Sequence, residues 1–363
     1  MTENALARHE NNSEQIEAAA QPLPFSGLAK RFINFCERFA APFRSPTHTR
    51  EVPMRQYLSG LVQANKGDRN MERMAEVVPD SDDQALQHFV SHAEWDEREV
   101  LDRVALEANK HLGGQPDSCL IIDESGHPKK GKHSVGVSRQ WCGNLGKVDN
   151  CQVGVYAALA CREQVTLIDE RLFLPQAWTD KEARCLAAGI PKEEMVFRPN
   201  SEQALEMVEH ARALRVGFAW VGCDGFYGAD PAFLRALDGR EEIFVGDVHK
   251  DQRIDLQDPQ PVVPPRQSNR GKAPTRLKAQ TPSMRVDKWA AQQPPQAWQR
   301  MKLRDSTKGV LSVDILHRRV WLWDGEEENA HGWHLIVRRD VDSPTPLKYT
   351  LRNAPQDTPR HRA

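Results

Sequence analysis

The spacing of apolar residues divides the chain into a helical first part and a strand-rich second part. Leu101, Val104, Ala108 and Leu112 recur at three- and four-residue intervals, as on one face of a helix. Shorter segments before them share this period and are separated by prolines and glycines. The pattern predicts a helical domain over residues 29–115, with shorter helices around residues 32–39, 57–62, 70–78 and 83–90.

From Ser118 onward the chain changes to short runs that are rich in β-branched residues and are separated by Gly, Asn and Asp, as consecutive strands are. Helices are predicted at residues 180–188 and 201–215, the second capped by Ser201, and another opens at Asp230 and runs to Leu237. This succession predicts an α/β fold with a mixed sheet. The predicted strands are CLIID, SVGVSR, CQVGVYAAL, QVTLIDERLFL, FAWVGCD, EIFVGDV, GVLSVDIL, HLIVRR and LKYTLR.

Residues 255–307 interrupt the pattern with clustered prolines, which predicts a loop or a lightly structured insertion. Between Pro265 and Lys308 the chain carries a local charge of +9, although its net charge is −2. Two interpretations stay open: a solvated linker, or a segment whose cations bind the DNA backbone and whose indoles stack on exposed bases. The second predicts DNA contacts from Arg270, Lys272, Arg276, Lys278, Trp289 and Trp298.

The remaining composition narrows the class of protein. Residues 1–28 carry few apolar side chains, which predicts a disordered tail without a signal peptide. The longest apolar run, Val153 to Cys161, is too short to cross a bilayer. The seven cysteines are odd in number and form no CxxC pair, which favours reduced, mostly buried thiols over disulfides or a zinc ribbon. These features predict a cytoplasmic protein.

Asp123 and Asp224 each close an apolar predicted strand, SCLIID and FAWVGCD. If both strands lie in one sheet, the two carboxylates emerge at the same edge, where α/β sheets place their ligand sites. Hard carboxylate oxygens suit Mg²⁺ or Mn²⁺. Two such ions about 4 Å apart activate a water and stabilise the leaving oxygen when a phosphodiester is cleaved. The alternative is that each aspartate makes a turn or caps a helix.

A lysine-rich segment, GHPKKGK, follows Asp123 and fits the GxxxxGK pattern of a phosphate-binding loop. His133 stands where that motif requires Ser or Thr, and the next segment is predicted as a strand rather than a helix, which excludes a P-loop. Lys129, Lys130 and Lys132 are instead predicted to contact DNA phosphates beside Asp123. The alternative is a solvated hairpin.

Two blocks of sequence resemble the DDE-type transposases of bacterial insertion sequences, in the branch of DDE superfamily endonucleases. The first, IIDESGHPKKGKHSVGVSRQWCGNLGKVDNCQVGVYAALA, begins at Ile121, and the second, CDGFYG, begins at Cys223; weaker similarity covers YLSGLVQANKGDRNMERMAEVV and KYTLRNAPQDTP. The resemblance implies a ribonuclease-H-like catalytic core, an N-terminal helical DNA-binding region and a β-rich insertion. It makes Asp123 and Asp224 the first two catalytic carboxylates, with Mg²⁺ or Mn²⁺ as cofactor.

With the helical DNA-binding domain at residues 29–115, the resemblance implies a core at 116–254, a basic insertion at 255–350 and a truncated C-terminus at 351–363. In this family the third carboxylate is a glutamate on a helix beyond the insertion, and no residue of this sequence matches it. The glutamates at 326–328 do not supply it, because the residues around them predict a β-turn.

Two functions are therefore expected. The first is transposition, in which the protein binds double-stranded DNA at element ends and target, cleaves it with a divalent metal and transfers the strand; a nucleoid-associated protein and a homodimer are further expectations. The second is a catalytically inactive DNA-binding remnant that competes with an intact transposase for element ends. A metal-dependent nuclease without a mobile element is a third alternative.

Overall fold

Two compact units, Met1–Arg103 and Val104–Ala363, make up the chain. The computed structural model describes residues 27–45, 48–266, 272–306, 309–341, 343, 345–355 and 358. The tail predicted to be disordered falls outside these ranges apart from its last two residues, and Arg270 also lies outside them. Within the described ranges, no helix combines the length and apolar character needed to cross a bilayer.

The first unit is helical, as the apolar spacing predicts. Asn70 and Asp82 cap two of its helices, each accepting a backbone N–H bond with its side-chain oxygen. Met54 and Phe89 are buried in its core, because they lie on the inward faces of short amphipathic helices, and Phe43 joins them from a 3-10 turn at Ala41–Phe43. The helices are α1 (Leu28–Arg38), α2 (Glu51–Gln63), α3 (Met71–Val77), α4 (Asp83–Ser91) and the first part of α5 (Glu97–Leu112).

The second unit is built around a large mixed sheet. The strands are β1 (Ser118–Pro128), β2 (Ser138–Cys142), β3 (Lys147–Cys161), β4 (Gln164–Leu172), β5 (Trp220–Cys223), β6 (Phe244–Val248), β7 (Arg253–Ile254), β8 (Met284–Arg285), β9 (Gln299–Ser306), β10 (Gly309–Leu322), β11 (His331–Asp340) and β12 (Pro346–Arg352). The helices are α6 (Gln176–Thr179), α7 (Glu182–Ala187), α8 (Asn200–Ala213), α9 (Gly225–Gly228), α10 (Pro231–Gly239) and α11 (Val286–Ala291).

The strand order of the ten-stranded sheet is β2-β3-β1-β5-β6-β12-β11-β10-β9, with β4 also paired to β3. β1, β3 and β4 form an antiparallel meander, and β5 and β6 then continue the sheet parallel to β1. Helix α8 precedes β5, and α10 connects β5 to β6. Three antiparallel strands followed by two parallel ones form a ribonuclease-H-like core, so the predicted α/β fold with a mixed sheet is confirmed.

The main core lies on one face of this sheet. Leu120 and Ile122 on β1 are fully buried there and join Met207 of α8 and Leu234 of α10 in one apolar cluster. Ile121, which points to the opposite face, stays 37% exposed. The alternation follows from the two-residue period of a strand. All seven cysteines are free and buried, as their number and spacing predict.

The strands after residue 298 extend the same sheet. β12 pairs antiparallel with β6, with Leu351 opposite Gly246, and β11, β10 and β9 follow outward. Of the two alternatives predicted for residues 255–307, a loop is wrong for the second half, where α11 and β9 form, and a lightly structured insertion agrees with these elements. The reason is burial: Val286 and Trp289 of α11 enter the core, and this apolar burial outweighs the proline-rich composition around them.

Several other predicted boundaries are corrected. The strand predicted over SVGVSR begins only at Ser138, because Gly136 adopts a φ of 73° in the preceding turn. The helix predicted at residues 180–188 forms as the shorter α7, and α6 lies before the predicted range. Ser201 does not cap α8, which begins one residue earlier and has no side-chain cap. The cap predicted at Asp230 is confirmed, because its carboxylate accepts from the first N–H groups of α10.

Candidate active site

Asp123 lies on β1, and Asp224 directly follows the adjacent strand β5. The parallel pairing of β1 with β5 sets Ile122 opposite Cys223, and the next residue in the chain after each is one of the two aspartates. Neighbouring strands are about 4.8 Å apart, so the two side chains leave the same edge of the parallel pair. Asp123 does not end its strand, which continues to Pro128 because the long β3 pairs with all of it. The parallel pairing does end there, and this creates the shared edge.

Each aspartate also makes a local hydrogen bond. Asp123 Oδ1 accepts from its neighbour's backbone N–H at 2.8 Å. Asp224 Oδ1 accepts from the Phe226 N–H at 2.9 Å and caps the short helix α9. The capping alternative is thus realised at Asp224 without removing its carboxylate from the edge. Within the described ranges, neither aspartate forms an ion pair, so neither negative charge is neutralised by a cationic side chain.

The electrostatics of the edge favour a bound cation. Burial, together with the charge of nearby Asp224, raises the pKa of Asp123 above its ordinary value, while its backbone hydrogen bond opposes the shift. Two like charges held this close repel each other, and a cation between them would relieve the repulsion. Hard carboxylate oxygens fit a divalent ion such as Mg²⁺. Across the part of the chain that the structure describes, no three His, Cys, Asp or Glu residues are grouped to hold a metal.

Glu124 is a third acidic residue at this edge, and sequence reasoning missed it. It lies on the opposite face of β1 from Asp123, and the electrostatic influence of Asp224 reaches it. Burial first, then the charge of Asp224, raises the pKa of Glu124 to about 6. The signal was present in the sequence: strand alternation puts Glu124 on the inward face, in line with Ile122, where an acidic residue is unusual.

Tyr227 faces Glu124 from α9. The phenol is fully buried, and burial and the Glu124 carboxylate together raise its pKa. Among the described residues, neither Tyr227 Oη nor Glu124 Oε2 has a partner at hydrogen-bond geometry. An orphaned buried acceptor and a nearby orphaned donor cost free energy unless a small rearrangement or a ligand satisfies them. The Tyr227 hydroxyl is the donor nearest to Glu124, and its influence partly opposes the rise in the pKa of Glu124.

Gly228 fixes α9 against the sheet. A side-chain carbon on Gly228 would lie 1.8 Å from the Asp247 backbone oxygen, a distance that no residue other than glycine tolerates. This explains the final glycine of CDGFYG, and it holds the capped turn after Asp224 against β6. The Asp247 side chain is separately occupied, since it pairs with Lys348 and accepts from Thr350 Oγ1 at 2.8 Å.

The loop that carries Lys129, Lys130 and Lys132 lies at the far end of β1 from Asp123. Because β1 continues to Pro128, Lys129 is about 20 Å from Asp123 along the strand, at about 3.3 Å per residue. The prediction that the lysines lie beside Asp123 is therefore wrong. Asn150 holds the loop by donating to the backbone oxygens of Lys129 and Gly131 at 2.6 and 2.8 Å. Lys129, Lys130 and Lys132 are exposed to solvent.

The basic segment, from Pro265 to Lys308, has exposed cations but no exposed tryptophan among its described residues. Lys272, Arg276 and Lys278 are exposed. Trp289 is only 4% exposed and belongs to the main core, so the interpretation of its indole as a base-stacking surface is corrected. Trp298 is half-buried, with the Arg339 guanidinium 4.0 Å from its ring centroid. The short helix α11 turns Trp289 inward, which composition did not reveal. The turn predicted at residues 326–328 is confirmed by two backbone hydrogen bonds to a single aspartate.

Comparison with known proteins indicates the same family as the two sequence blocks. A family model described as DDE superfamily endonuclease matches residues 38–310, and the chain belongs to this family. The chain is also 28% identical over 221 residues to the "Probable transposase for insertion sequence element IS701" of Microchaete diplosiphon, a match that covers 60% of this chain and 53% of that protein. The match thus spans about half the length of this curated relative. The resemblance inferred from the two sequence blocks is confirmed.

Proposed function

We propose that this protein is a DNA transposase of an insertion sequence, which cleaves DNA at the ends of its element and transfers the freed strand to a target. The observation that carries the proposal is the parallel register that sets Asp123 beside Asp224 at one edge of a ribonuclease-H-like sheet. The family match and the similarity to a transposase from an insertion sequence support it.

In this proposal Asp123 and Asp224 hold the divalent ions, Mg²⁺ or Mn²⁺. The bound ions would supply activation of the attacking water and stabilisation of the leaving oxygen. The hydrogen bonds that Asp123 and Asp224 already make fix one oxygen of each carboxylate, which limits their rotation and keeps the other oxygen directed away from the backbone. Cleavage would free a 3′ hydroxyl, which then attacks the target strand.

The DNA itself would be held by exposed cations and by the N-terminal helices. Lys129, Lys130 and Lys132 would bind backbone phosphates well away from the cleaved bond, and the exposed residues Lys272, Arg276 and Lys278 would do the same, with Arg270 and Trp298 as further candidates. We assign residues 29–115 as the DNA-binding domain, residues 116–254 as the catalytic core and residues 255–350 as the insertion. A nucleoid-associated homodimer completes the proposal.

A nicking assay tests the function. The substrate is a supercoiled plasmid carrying the DNA that flanks the coding sequence, incubated with Mn²⁺ and the full chain. We expect Asp123→Asn and Asp224→Asn to lower nicking at least about 100-fold, the scale of one lost contact to a charged transition state. Asp149→Asn is the matched control, because Asp149 lies on the same sheet but pairs with Lys147. Equal nicking by all the proteins would refute the proposal.

The second candidate is a DNA-binding chain without cleavage activity that competes with an intact transposase for element ends. The donor set favours it, since the described residues bring together two aspartates at the edge but no group of three metal ligands. The same plasmid separates the two candidates. Binding in a gel-shift assay without any nicking in Mn²⁺ would support the second candidate, whereas nicking that requires Asp123 would eliminate it.

A further inference from the structure

An aromatic pocket lies on the other side of β1 from Asp123. Its volume is about 430 Å³, within the range of pockets that hold a single small organic group. Glu124 and Gly126 of β1 form part of its wall, and Trp141 of β2 forms another part. Phe226, whose backbone N–H donates to Asp224 Oδ1, also lines the pocket. Phe226 therefore links the pocket to the aspartate edge.

The walls expose aromatic rings to solvent. Trp141 is 60% exposed, Phe226 53% and Phe197 41%, and Phe173 packs edge-on against Phe197 with ring centroids 6.1 Å apart. Aromatic rings that surround one concavity and stay exposed to water gain free energy when a ligand covers them, so such a group marks a binding surface. Flat rings on several sides of a pocket suit a flat aromatic guest, which gains stacking on each of them.

Two polar atoms define what kind of guest fits. Within the described residues, Asn200 Oδ1 is buried and has no hydrogen-bond partner, and Glu124 Oε2 is buried with only the Tyr227 hydroxyl beside it. Both atoms are acceptors, so they suit a guest with N–H donors. An aliphatic or purely apolar guest would leave them unsatisfied, at a cost in free energy. Nucleobases that carry an exocyclic amino group combine a flat ring with N–H donors at its edge.

We propose that this pocket binds one unpaired, amino-bearing nucleobase of the DNA strand that is cleaved at Asp123 and Asp224. The proposal rests on the proposed function for the position of the strand. The base stacks on Trp141 and Phe226, and its amino group donates to Glu124 and Asn200. The exposed cations Lys129, Lys130 and Lys132 begin three residues after Gly126 of the pocket and provide a path for the backbone.

A fluorescent base tests the pocket without any cleavage. The probe is a short single-stranded oligodeoxynucleotide that carries one 2-aminopurine, added to the full chain in EDTA. We expect binding to quench the 2-aminopurine fluorescence through stacking. Trp141→Ala and Phe226→Ala should weaken binding roughly 5- to 150-fold each, the range for loss of one base–aromatic stack, and should remove the quenching. Trp141→Phe should restore most of both.

The controls separate the pocket from general DNA binding. Leu167→Ala removes an apolar side chain that is 59% exposed on β4, outside the pocket, and should bind the probe as the unchanged protein does. An abasic oligonucleotide of equal length should compete less well than the same strand with its base. Unchanged binding and quenching in Trp141→Ala and Phe226→Ala would overturn the proposal, and so would equal competition by the abasic strand.

The outcome is independent of the cleavage test. Asp123→Asn should keep the quenching, because no metal is present in this experiment. If no protein nicks DNA but the Trp141-dependent quenching persists, the proposed cleavage fails and the pocket stands. If nicking depends on Asp123 but the quenching does not depend on the aromatic residues, the pocket proposal fails and the cleavage stands.

Discussion

Ile122 on β1 is paired with Cys223 on β5 in parallel register, and this one pairing sets the geometry of the candidate site. Because the residue after each is an aspartate, a shift of register by a single position would turn one carboxylate to the opposite face of the sheet. The core residues on both strands hold the register, since Leu120 and Val221 are opposite each other and fully buried. The apolar core thus positions the polar edge.

The first prediction concerns Gly228. Gly228→Ala should destabilise the protein by about 1–3 kcal/mol or more, because the new carbon would collide with the Asp247 backbone oxygen and push α9 away from β6. Nicking should fall as well, since α9 carries the cap of Asp224. Urea unfolding followed by tryptophan fluorescence measures the first effect. Gly239→Ala is the control, because no atom lies within 4 Å of a side-chain carbon there. Equal stability of the two variants would contradict the account.

The second prediction separates the two tryptophans of the basic segment. Trp289→Ala should lower the free energy of unfolding by about 3–5 kcal/mol, because the indole is buried in the main core and its removal leaves a cavity. Trp298→Ala should cost less, since that ring is half-buried and stacked under Arg339. Chemical denaturation of both variants checks the order. If the Trp289→Ala protein were as stable as the unchanged chain, Trp289 would not contribute to the core, which would contradict this prediction.

The third prediction is a pH dependence that originates at His334. This ring is 2% exposed, and burial lowers its pKa below the ordinary value of about 6.5, aided by the charges of Arg319 and Arg352 and opposed by backbone acceptors at Pro355 and Ala354. The unfolded chain therefore takes up a proton at a higher pH than the folded one. The stability due to neutral His334 is complete above about pH 6.5 and declines as the pH falls below it.

The measurement compares urea unfolding between pH 5 and 8 in two variants. His334→Gln should flatten the decline in stability below about pH 6.5, because the titrating group is gone. His111→Gln, at an exposed position of α5, should keep the slope of the unchanged protein. An identical slope in His334→Gln would show that the decline has another origin. His317 must be kept in both variants, since its ring contacts His334 at 2.8 Å.

Local patterns in the sequence predicted much of this fold. The period of apolar residues located the helices of the first unit and most strands of the second, because each reports which face is buried. Asp123 and Asp224 were predicted as site residues for the same reason, because each is a polar residue that follows an apolar run. Asp230 was recognised as a cap from the proline after it.

Other features depend on contacts between distant parts of the chain. The continuation of β1 beyond Asp123 requires β3 as its partner and Gly126, where a side-chain carbon would come within 3.0 Å of the Cys142 Cα. The inward position of Trp289 depends on a core assembled from residues far away in sequence. Pairing of β12 with β6 joins residues about a hundred positions apart, which no local period reports. The pocket beside Glu124 arises from the same long-range assembly.

The central claim is that Asp123 and Asp224 together bind a divalent metal ion. The most direct measurement is the Mn²⁺ electron paramagnetic resonance signal, which reports free ion and decreases as the ion is bound. We predict that the unchanged chain with duplex DNA removes free Mn²⁺, that Asp123→Asn and Asp224→Asn each largely abolish this uptake, and that Asp149→Asn retains it. Equal Mn²⁺ uptake by the unchanged chain and both aspartate variants would contradict the account.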